Sequence, residues 1–196
     1  MSRYEVYATS AKEKNKRTVI YGSKKKGEAK MATIDNLKAA FAGESQANRK
    51  YLAFAKKADA EGFKQVAKLF RAAAEAETVH AHAHLRVLGG VKSTTDNLQE
   101  AIEGEGYEFQ KMYPGFLKEA VAEGNKGAEI SFKNANAVEE IHYGLYTKAL
   151  NAVKGGKDLE VKQIYVCAIC GNTVEGACPD QCPVCKATKD KFTEVK

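Results

Sequence analysis

Four cysteines near the C-terminus stand in two pairs that have the spacing of a metal site. The pairs are Cys167-x-x-Cys170 and Cys182-Pro183-x-Cys185, and a short loop that contains glycine and proline separates them. Two such pairs can form a tetrahedral thiolate cage that suits iron or zinc. Taken alone, the motif favours a structural zinc ribbon. The fifth cysteine, Cys178, falls outside this spacing and is interpreted as a spare thiol.

Two Glu-x-x-His pairs, Glu77-x-x-His80 and Glu139-x-x-His142, precede the cysteines. Residues three apart share one face of a helix, so each pair can bind a metal ion from a single helix. One such pair on its own is more often a solvated or intrahelical contact. Two pairs at the same offset, on separate helices, instead match the carboxylate-bridged di-metal site of a four-helix bundle.

Helix-period patterning dominates the chain from Thr33 onward and predicts four helices. They are expected over about 33–61, 63–88, 93–123 and 128–153. Glycines end each segment, and Pro114 predicts a kink in the third helix. The residues Ile164-Tyr165-Val166 predict a strand that leads into the first cysteine pair. The sequence therefore predicts a mainly α protein with a small C-terminal metal ribbon.

Each predicted helix supplies candidate ligands to the di-metal site. In chain order they are Glu44, then Glu77 and His80, then Glu105 and Glu108, then Glu139 and His142. Carboxylates and imidazoles together suit iron or manganese. Alanines surround these positions, which allows the helices to approach closely.

Four further side chains lie near the candidate ligands. Tyr51 and Tyr113 are by default core aromatics, but their positions allow hydrogen bonds to the glutamate ligands. His82 and His84 have no matching partners on the other helices, so a surface location is expected for both.

Composition and charge exclude several classes of protein. The apolar fraction of 44% and the charged fraction of 29% are typical of a globular protein. No apolar run approaches the length of about 18 residues that spans a bilayer, and the first thirty residues lack a secretory signal. We therefore expect no membrane association and a cytoplasmic location, where cysteines stay reduced.

The net charge of +6 lies entirely in a basic N-terminal extension, residues 1–30. This segment holds nine of the 31 basic and three of the 25 acidic residues, which leaves 22 of each for the remainder. The rest of the chain is electrically balanced, so no nucleic-acid partner is expected.

From about Met31 to the C-terminus the chain resembles the rubrerythrin family. Besides the Glu-x-x-His pairs and the cysteines, the motifs that carry the resemblance are Phe41-Ala42-Gly43-Glu44-Ser45-Gln46-Ala47, Gly104-Glu105-x-x-Glu108 and Met112-Tyr113-Pro114. The resemblance implies a ferritin-like di-iron four-helix bundle over residues 31–156 and a rubredoxin-like Fe(Cys)4 domain over residues 157–196. It also implies the two-electron reduction of hydrogen peroxide to water, and with it protection against oxidative stress.

The resemblance further implies a role for each ligand. Glu77 and Glu139 bridge the two irons, Glu44 is terminal on one iron, and Glu105 and His142 are terminal on the other. The catalytic residues it implies are Glu108, His80, Tyr51 and Tyr113.

Glu108 and His80 are expected to exchange at the first iron. Glu108 binds it in the oxidised state and His80 replaces Glu108 in the reduced state. An anion suits ferric iron and a neutral imidazole suits ferrous iron, so this exchange keeps the charge of the site nearly constant.

Electrons are expected to reach the di-iron site through the iron held by Cys167, Cys170, Cys182 and Cys185. The sequence holds no complete Gly-x-Gly-x-x-Gly fingerprint, so an external rubredoxin or a separate NAD(P)H-dependent reductase must supply them. Two alternatives stay open. One is a ferritin-like ferroxidase or iron-handling protein, and the other is an electron-transfer or zinc-ribbon interaction protein.

The loop between the second and third helices predicts the assembly. In the ferritin-like topology these helices run parallel, so the chain must return along the whole bundle, roughly 38 Å for a helix of about 25 residues. The five residues from Gly89 to Ser93 reach at most about 18 Å. We therefore expect a homodimer or higher homo-oligomer in which helical hairpins are exchanged between subunits. A simple up-down-up-down bundle is the alternative.

Overall fold

The computed structural model describes residues 26–196. The predicted basic extension over residues 1–30 therefore lies outside the described residues, apart from its last five, which belong to the first helix. The chain divides into two compact units, and the boundary between them follows Leu88. No helix in the described part of the chain is long and apolar enough to cross a membrane.

The first unit contains an antiparallel pair of helices, α1 (Lys26–Ala60) and α2 (Lys64–Val87). Gly62 makes the turn between them with φ +86°, a left-handed conformation that glycine adopts without strain. The buried contact between the helices is made largely by alanines, among them Ala67 and Ala74, which are 0% and 1% exposed. Because alanine is small, the two backbones approach closely.

The helical part of the second unit begins with α3 (Thr94–Tyr107), where the Ser93 side chain accepts a hydrogen bond from the backbone N–H of Asp96. A π-helical segment (Glu108–Met112) follows, and then α4 (Tyr113–Ala122) and α5 (Lys126–Lys154). The predicted kink is thus a π-helical segment that ends before Pro114. Pro114 itself lies in the first turn of α4, where a missing N–H is tolerated.

The C-terminal part of this unit is a three-stranded antiparallel sheet in the order β2-β1-β3. The strands are β1 (Ile164–Cys167), β2 (Thr173–Glu175) and β3 (Phe192–Val195). Tyr165 of β1 pairs with Val174 on one side and with Glu194 on the other. We call residues 164–195, which hold the sheet and the four paired cysteines, the four-cysteine domain.

These elements confirm the predicted fold class, a mainly α chain with a small C-terminal β and loop domain that carries four cysteines. α2 and α5 match the predicted boundaries to within two residues. The first helix starts at Lys26 rather than near Thr33. Residues 26–32 contain lysine, alanine and glutamate without a periodic apolar face, so the hydrophobic pattern gave no signal there.

Candidate metal centres

The first unit brings together three of the predicted ligands, Glu44 of α1 and Glu77 and His80 of α2. Their donor atoms all lie within 4.8 Å of one another. The Nδ1 atom of His80 is 2.9 Å from Oε2 of Glu77. The Glu77 side chain is 18% exposed and that of His80 is 55% exposed, so the imidazole lies at the open edge of the group.

The second unit brings together a matching set, Glu105 of α3 and Glu139 and His142 of α5, with donor atoms again within 4.8 Å. Nδ1 of His142 lies 3.0 Å from Oε2 of Glu139 and 3.6 Å from Oε1 of Glu105. Each Glu-x-x-His pair therefore meets a third donor, a carboxylate from the neighbouring helix.

Electrostatics identify the second set as a site for cations. Burial, a hydrogen bond with Glu139, and the negative charges of Glu139 and Glu108 raise the pKa of Glu105 to about 7. Burial, followed by the charge of Glu139, also raises the pKa of Glu108. Carboxylates held this close repel one another, and a bound cation would relieve the repulsion. The donor set therefore fits a hard or borderline metal ion.

Glu108 and Tyr113 lie at the two ends of the π-helical segment. The backbone N–H of Tyr113 bonds to the carbonyl oxygen of Glu108, which closes the wide turn. Burial raises the pKa of the Tyr113 hydroxyl, and the charges of Glu108, Glu139 and Glu105 add to the effect. The charges of three carboxylates thus reach the phenol, and its hydrogen bond to a glutamate ligand stays a prediction. Glu108 is not among the three converging donors.

Tyr51 lies in the first unit, where its ring packs against Phe54 and Phe70 at centroid distances of 6.3 and 6.2 Å. This is the core environment expected of it by default, and its hydrogen bond to a glutamate stays a prediction. His82 is exposed, as predicted, whereas His84 is half-buried.

The four paired cysteines converge in the four-cysteine domain, with their sulfur atoms within 4.8 Å of one another. Sγ of Cys167 is 3.7 Å from Sγ of Cys185, and Sγ of Cys170 is 3.6 Å from Sγ of Cys182. These separations are far longer than a disulfide bond of about 2.05 Å. They match the edge of about 3.8 Å of a tetrahedron with metal–sulfur bonds of about 2.3 Å.

Backbone amides point at these sulfurs. The N–H groups of Asn172 and Ala187 donate to Cys170 and Cys185. Burial works against ionisation of Cys182, but the N–H groups of Cys185 and Val184 prevail and lower its pKa to about 7. Burial nevertheless raises the pKa of Cys170 and of Cys185. The backbone donors stabilise thiolate charge, and a bound cation would be needed to hold all four cysteines as thiolates.

The residues that follow the two cysteine pairs adopt left-handed conformations. Gly171 has φ +86° and Lys186 has φ +66°. Cys178 lies outside the cage, and its Sγ contacts the Pro179 carbonyl oxygen at 3.8 Å.

Sequence reasoning missed two residues, one that lies next to a candidate ligand group and one that contacts such a group. Asn48 joins α1 to α2 beside Glu77, and Thr173 of β2 contacts His142. Their partners lie 30 and 31 residues away in the chain, so no local pattern could have indicated them.

Comparison with known families agrees with this arrangement. The rubrerythrin family model matches residues 35–150, and the model of the rubredoxin-like domain of rubrerythrins matches residues 165–193. The chain belongs to the rubrerythrin family. Rubrerythrins combine a ferritin-like domain with a rubredoxin-like domain, which accounts for both donor types found in this chain.

Individual rubrerythrin relatives match over most of their length. Rubrerythrin-2 of Clostridium acetobutylicum is 37% identical over 174 residues, which cover 82% of this chain and 95% of the relative. Nigerythrin of Nitratidesulfovibrio vulgaris is 36% identical over 176 residues, which cover 83% of this chain and 86% of nigerythrin. The solved structure of fully reduced, all-ferrous nigerythrin is 32% identical, with a TM-score of 0.50 over 98% of this chain and 100% of that one.

Membership of the rubrerythrin family identifies the cofactors. The rubrerythrin domain implies a di-iron centre, and the rubredoxin-like domain implies a mononuclear iron. The donor sets of the structure fit both, because carboxylates and imidazoles converge in the helices and four thiols converge in the four-cysteine domain.

Proposed function

We propose that this rubrerythrin is a non-haem di-iron peroxidase that reduces hydrogen peroxide to water and protects against oxidative stress. The reaction takes up two electrons and two protons, breaks the O–O bond and releases two water molecules. The observation that supports it best is the presence of two acidic, histidine-containing donor sets and a four-thiolate cage on one chain. When bound, the di-iron centre supplies the two electrons that cleave the peroxide bond.

When iron is bound, Glu77 and Glu139 would each be shared by the two irons. Glu44 would hold the first iron alone, and Glu105 and His142 would hold the second. The close approach of Nδ1 of His142 to both Glu105 and Glu139 supports their grouping on one iron.

Glu108 and His80 would take turns in holding the first iron. The negative charge of Glu108 would suit the ferric ion, and the neutral imidazole of His80 would suit the ferrous ion.

Tyr113 and Tyr51 act through hydrogen bonds to ligand carboxylates. Because burial and the surrounding carboxylates raise the pKa of Tyr113, its hydroxyl keeps its proton at neutral pH and can donate a hydrogen bond beside the reacting peroxide. Tyr51 would act in the same way toward ligands of the first unit.

Electrons reach the helical site from the iron held by the four cysteines. An external rubredoxin or a separate NAD(P)H-dependent reductase supplies them, in the cytoplasm. The functional parts we propose are a basic extension over residues 1–30, the di-iron bundle over residues 31–156 and the Fe(Cys)4 domain over residues 157–196.

The complete di-iron site is assembled from two subunits that exchange helical hairpins. The first unit of the chain holds three of the proposed ligands and the second holds four, and the connection from α2 to α3 is only residues 88–93. Six residues reach at most about 22 Å, whereas the 24 residues of α2 extend about 36 Å. Hence we propose a hairpin-swapped homodimer or higher homo-oligomer.

Subunit mixing tests the exchange. A Glu77→Ala chain and a Glu139→Ala chain are each expected to lack both intact sites, and a swapped heterodimer of the two regains one complete site. Peroxide turnover should therefore reappear after verified subunit exchange. Mixing the matched exposed-residue variants Glu75→Ala and Glu140→Ala controls for the exchange procedure. Absence of recovery would rule out the swap.

The activity itself is tested by metal analysis and anaerobic titration. We expect two irons in the helical site and one in the four-cysteine domain per chain, and oxidation of the reduced protein by stoichiometric peroxide. Rapid oxygen-driven iron mineralisation without peroxide turnover would favour the ferroxidase alternative. A single zinc per chain and no iron would favour an electron-transfer or interaction protein.

A further inference from the structure

His142 has its two ring nitrogens in different environments. Nδ1 faces the carboxylates of Glu139 and Glu105, at 3.0 and 3.6 Å. Nε2 faces the hydroxyl oxygen of Thr173, the first residue of β2, at 2.9 Å. The imidazole therefore lies between the helical ligand group and the four-cysteine domain of the same unit.

The hydrogen atoms in this contact can be assigned from the partners of Thr173. Its hydroxyl donates to the carbonyl oxygen of Gly171 at 3.2 Å. A hydroxyl has only one hydrogen, so toward His142 its oxygen must accept. An imidazole that binds iron through Nδ1 carries its hydrogen on Nε2, and the Thr173 hydroxyl oxygen is placed to accept that hydrogen.

Two further contacts fix the position of this hydroxyl relative to α5. Glu175, on the same face of β2 as Thr173, forms an ion pair with Lys148 of α5. Gly171 lies against Val138, since a Cβ at Gly171 would be 3.8 Å from the valine methyl. Val138 is 3% exposed, so this edge of the four-cysteine domain covers a buried part of the helix.

We propose that Thr173 is a positioning residue of the helical metal site, which accepts the Nε2 hydrogen of His142 and so orients Nδ1 toward the iron that Glu105 and Glu139 would hold. The inference rests on the proposed function only in taking His142 as an iron ligand. It makes the four-cysteine domain, through Thr173 and the Gly171 carbonyl, a structural support of the helical site. Partners that orient a ligating histidine in this way contribute about 10- to 100-fold to metal affinity or activity.

The test uses the full-length protein and ferrous iron as the probe. Thr173→Val removes the hydroxyl but keeps the shape of the side chain, and Thr173→Ser keeps the hydroxyl. Ferrous affinity of the helical site, measured anaerobically by chelator competition, should fall by about tenfold or more in Thr173→Val and return to near wild type in Thr173→Ser. Thr147→Val is the matched control, because its hydroxyl bonds to the Tyr143 carbonyl of its own helix.

A second measurement reports the Nε2 contact directly. With zinc in the helical site and in the four-cysteine domain, proton–nitrogen correlation NMR should show a His142 Nε2 hydrogen that exchanges slowly with solvent in wild type and in Thr173→Ser. In Thr173→Val this hydrogen should exchange faster.

The possible outcomes separate this inference from the proposed function. Unchanged ferrous affinity in Thr173→Val, while wild type binds two helical irons, would overturn the inference alone. Loss of the thiolate-to-iron absorption in both Thr173 variants would also overturn it, since Thr173 would then serve folding of the four-cysteine domain. Wild-type affinity in His142→Ala would instead remove the iron ligand that the proposed function requires.

Discussion

Asn48 and Thr78 form a buried polar contact between the two helices of the first unit. The Asn48 amide donates to the Thr78 hydroxyl at 2.8 Å and to the Ala74 carbonyl at 2.7 Å. Asn48 is one helical turn from Glu44, and Thr78 is adjacent to Glu77. The contact thus fixes the register of α1 on α2 and, with it, the relative height of two candidate ligands.

Asn48→Ala should destabilise the helical pair by about 2 kcal/mol, because it removes two buried hydrogen bonds and leaves a small void. Urea unfolding of the metal-free protein at fixed protein concentration measures the change. Asn36→Ala, an exposed change on the same helix, should stay within about 0.5 kcal/mol of wild type. Equal stabilities for the two variants would show that the contact does not set the register.

Metal-free protein should lose stability as pH rises through neutrality because of Glu105. Its folded pKa is about 7 against an ordinary value of 4.5, so between these values the folded state binds more protons than the unfolded state. The stability that protonated Glu105 contributes to the free energy of unfolding is fully present below about pH 4.5. It is lost as pH rises through 7. Urea midpoints of wild type should fall from pH 5 to pH 8 more steeply than those of Glu105→Gln, and parallel profiles would contradict the assignment.

Glu108→Ala should keep two helical irons but lower peroxide turnover by about tenfold or more, because the oxidised first iron loses its anionic ligand. The variant should also react with oxygen in a more ferritin-like way. Steady-state peroxide assays and iron analysis measure both effects, with Gln110→Ala in the same π-helical segment as the control. Unchanged turnover in Glu108→Ala would remove the ligand exchange from the mechanism.

Cys170→Ser should abolish the thiolate-to-iron absorption and the electron delivery from an external reductase. A chemically reduced helical site should still consume one round of peroxide, because its ligands come from other residues. Cys178→Ser is the control and should retain both properties, since Cys178 lies outside the cage. Loss of the single-turnover reaction with helical iron still bound would mean that the two sites do not act separately.

Lys186→Gly should stabilise the four-cysteine domain by about 1 kcal/mol. Lys186 has φ +66°, which is unfavourable for any residue with a Cβ. The exposed hydrogen bond that its Nζ donates to the Pro183 carbonyl oxygen offsets little of this backbone strain. Gly171→Ala, at the corresponding position with φ +86°, should have the opposite effect. The denaturant midpoint of the thiolate-to-iron absorption measures both, and a lower midpoint for Lys186→Gly would refute the strain argument.

Much of the fold could be predicted because local sequence patterns determine where its helices begin and end. Periodic apolar residues and terminal glycines placed α2 and α5 to within two residues of their observed ends. The π-helical segment Glu108–Met112 was not predicted, because one extra residue in a helical turn barely disturbs apolar periodicity. The sequence indicated an irregularity only through Pro114, which lies just after it.

The sequence by itself determined the chemistry of the two kinds of donor set. Glu-x-x-His on a helix and Cys-x-x-Cys at a turn place ligands by geometry within four residues, so residue types and spacing suffice.

Tertiary structure alone decided which ring nitrogen of His142 faces the carboxylates and what holds α1 in register with α2. Thr173 and Asn48 reach those positions across 31 and 30 residues of chain. Such contacts depend on how whole elements pack, because a hydrogen bond between two elements exists only once both backbones are fixed in place.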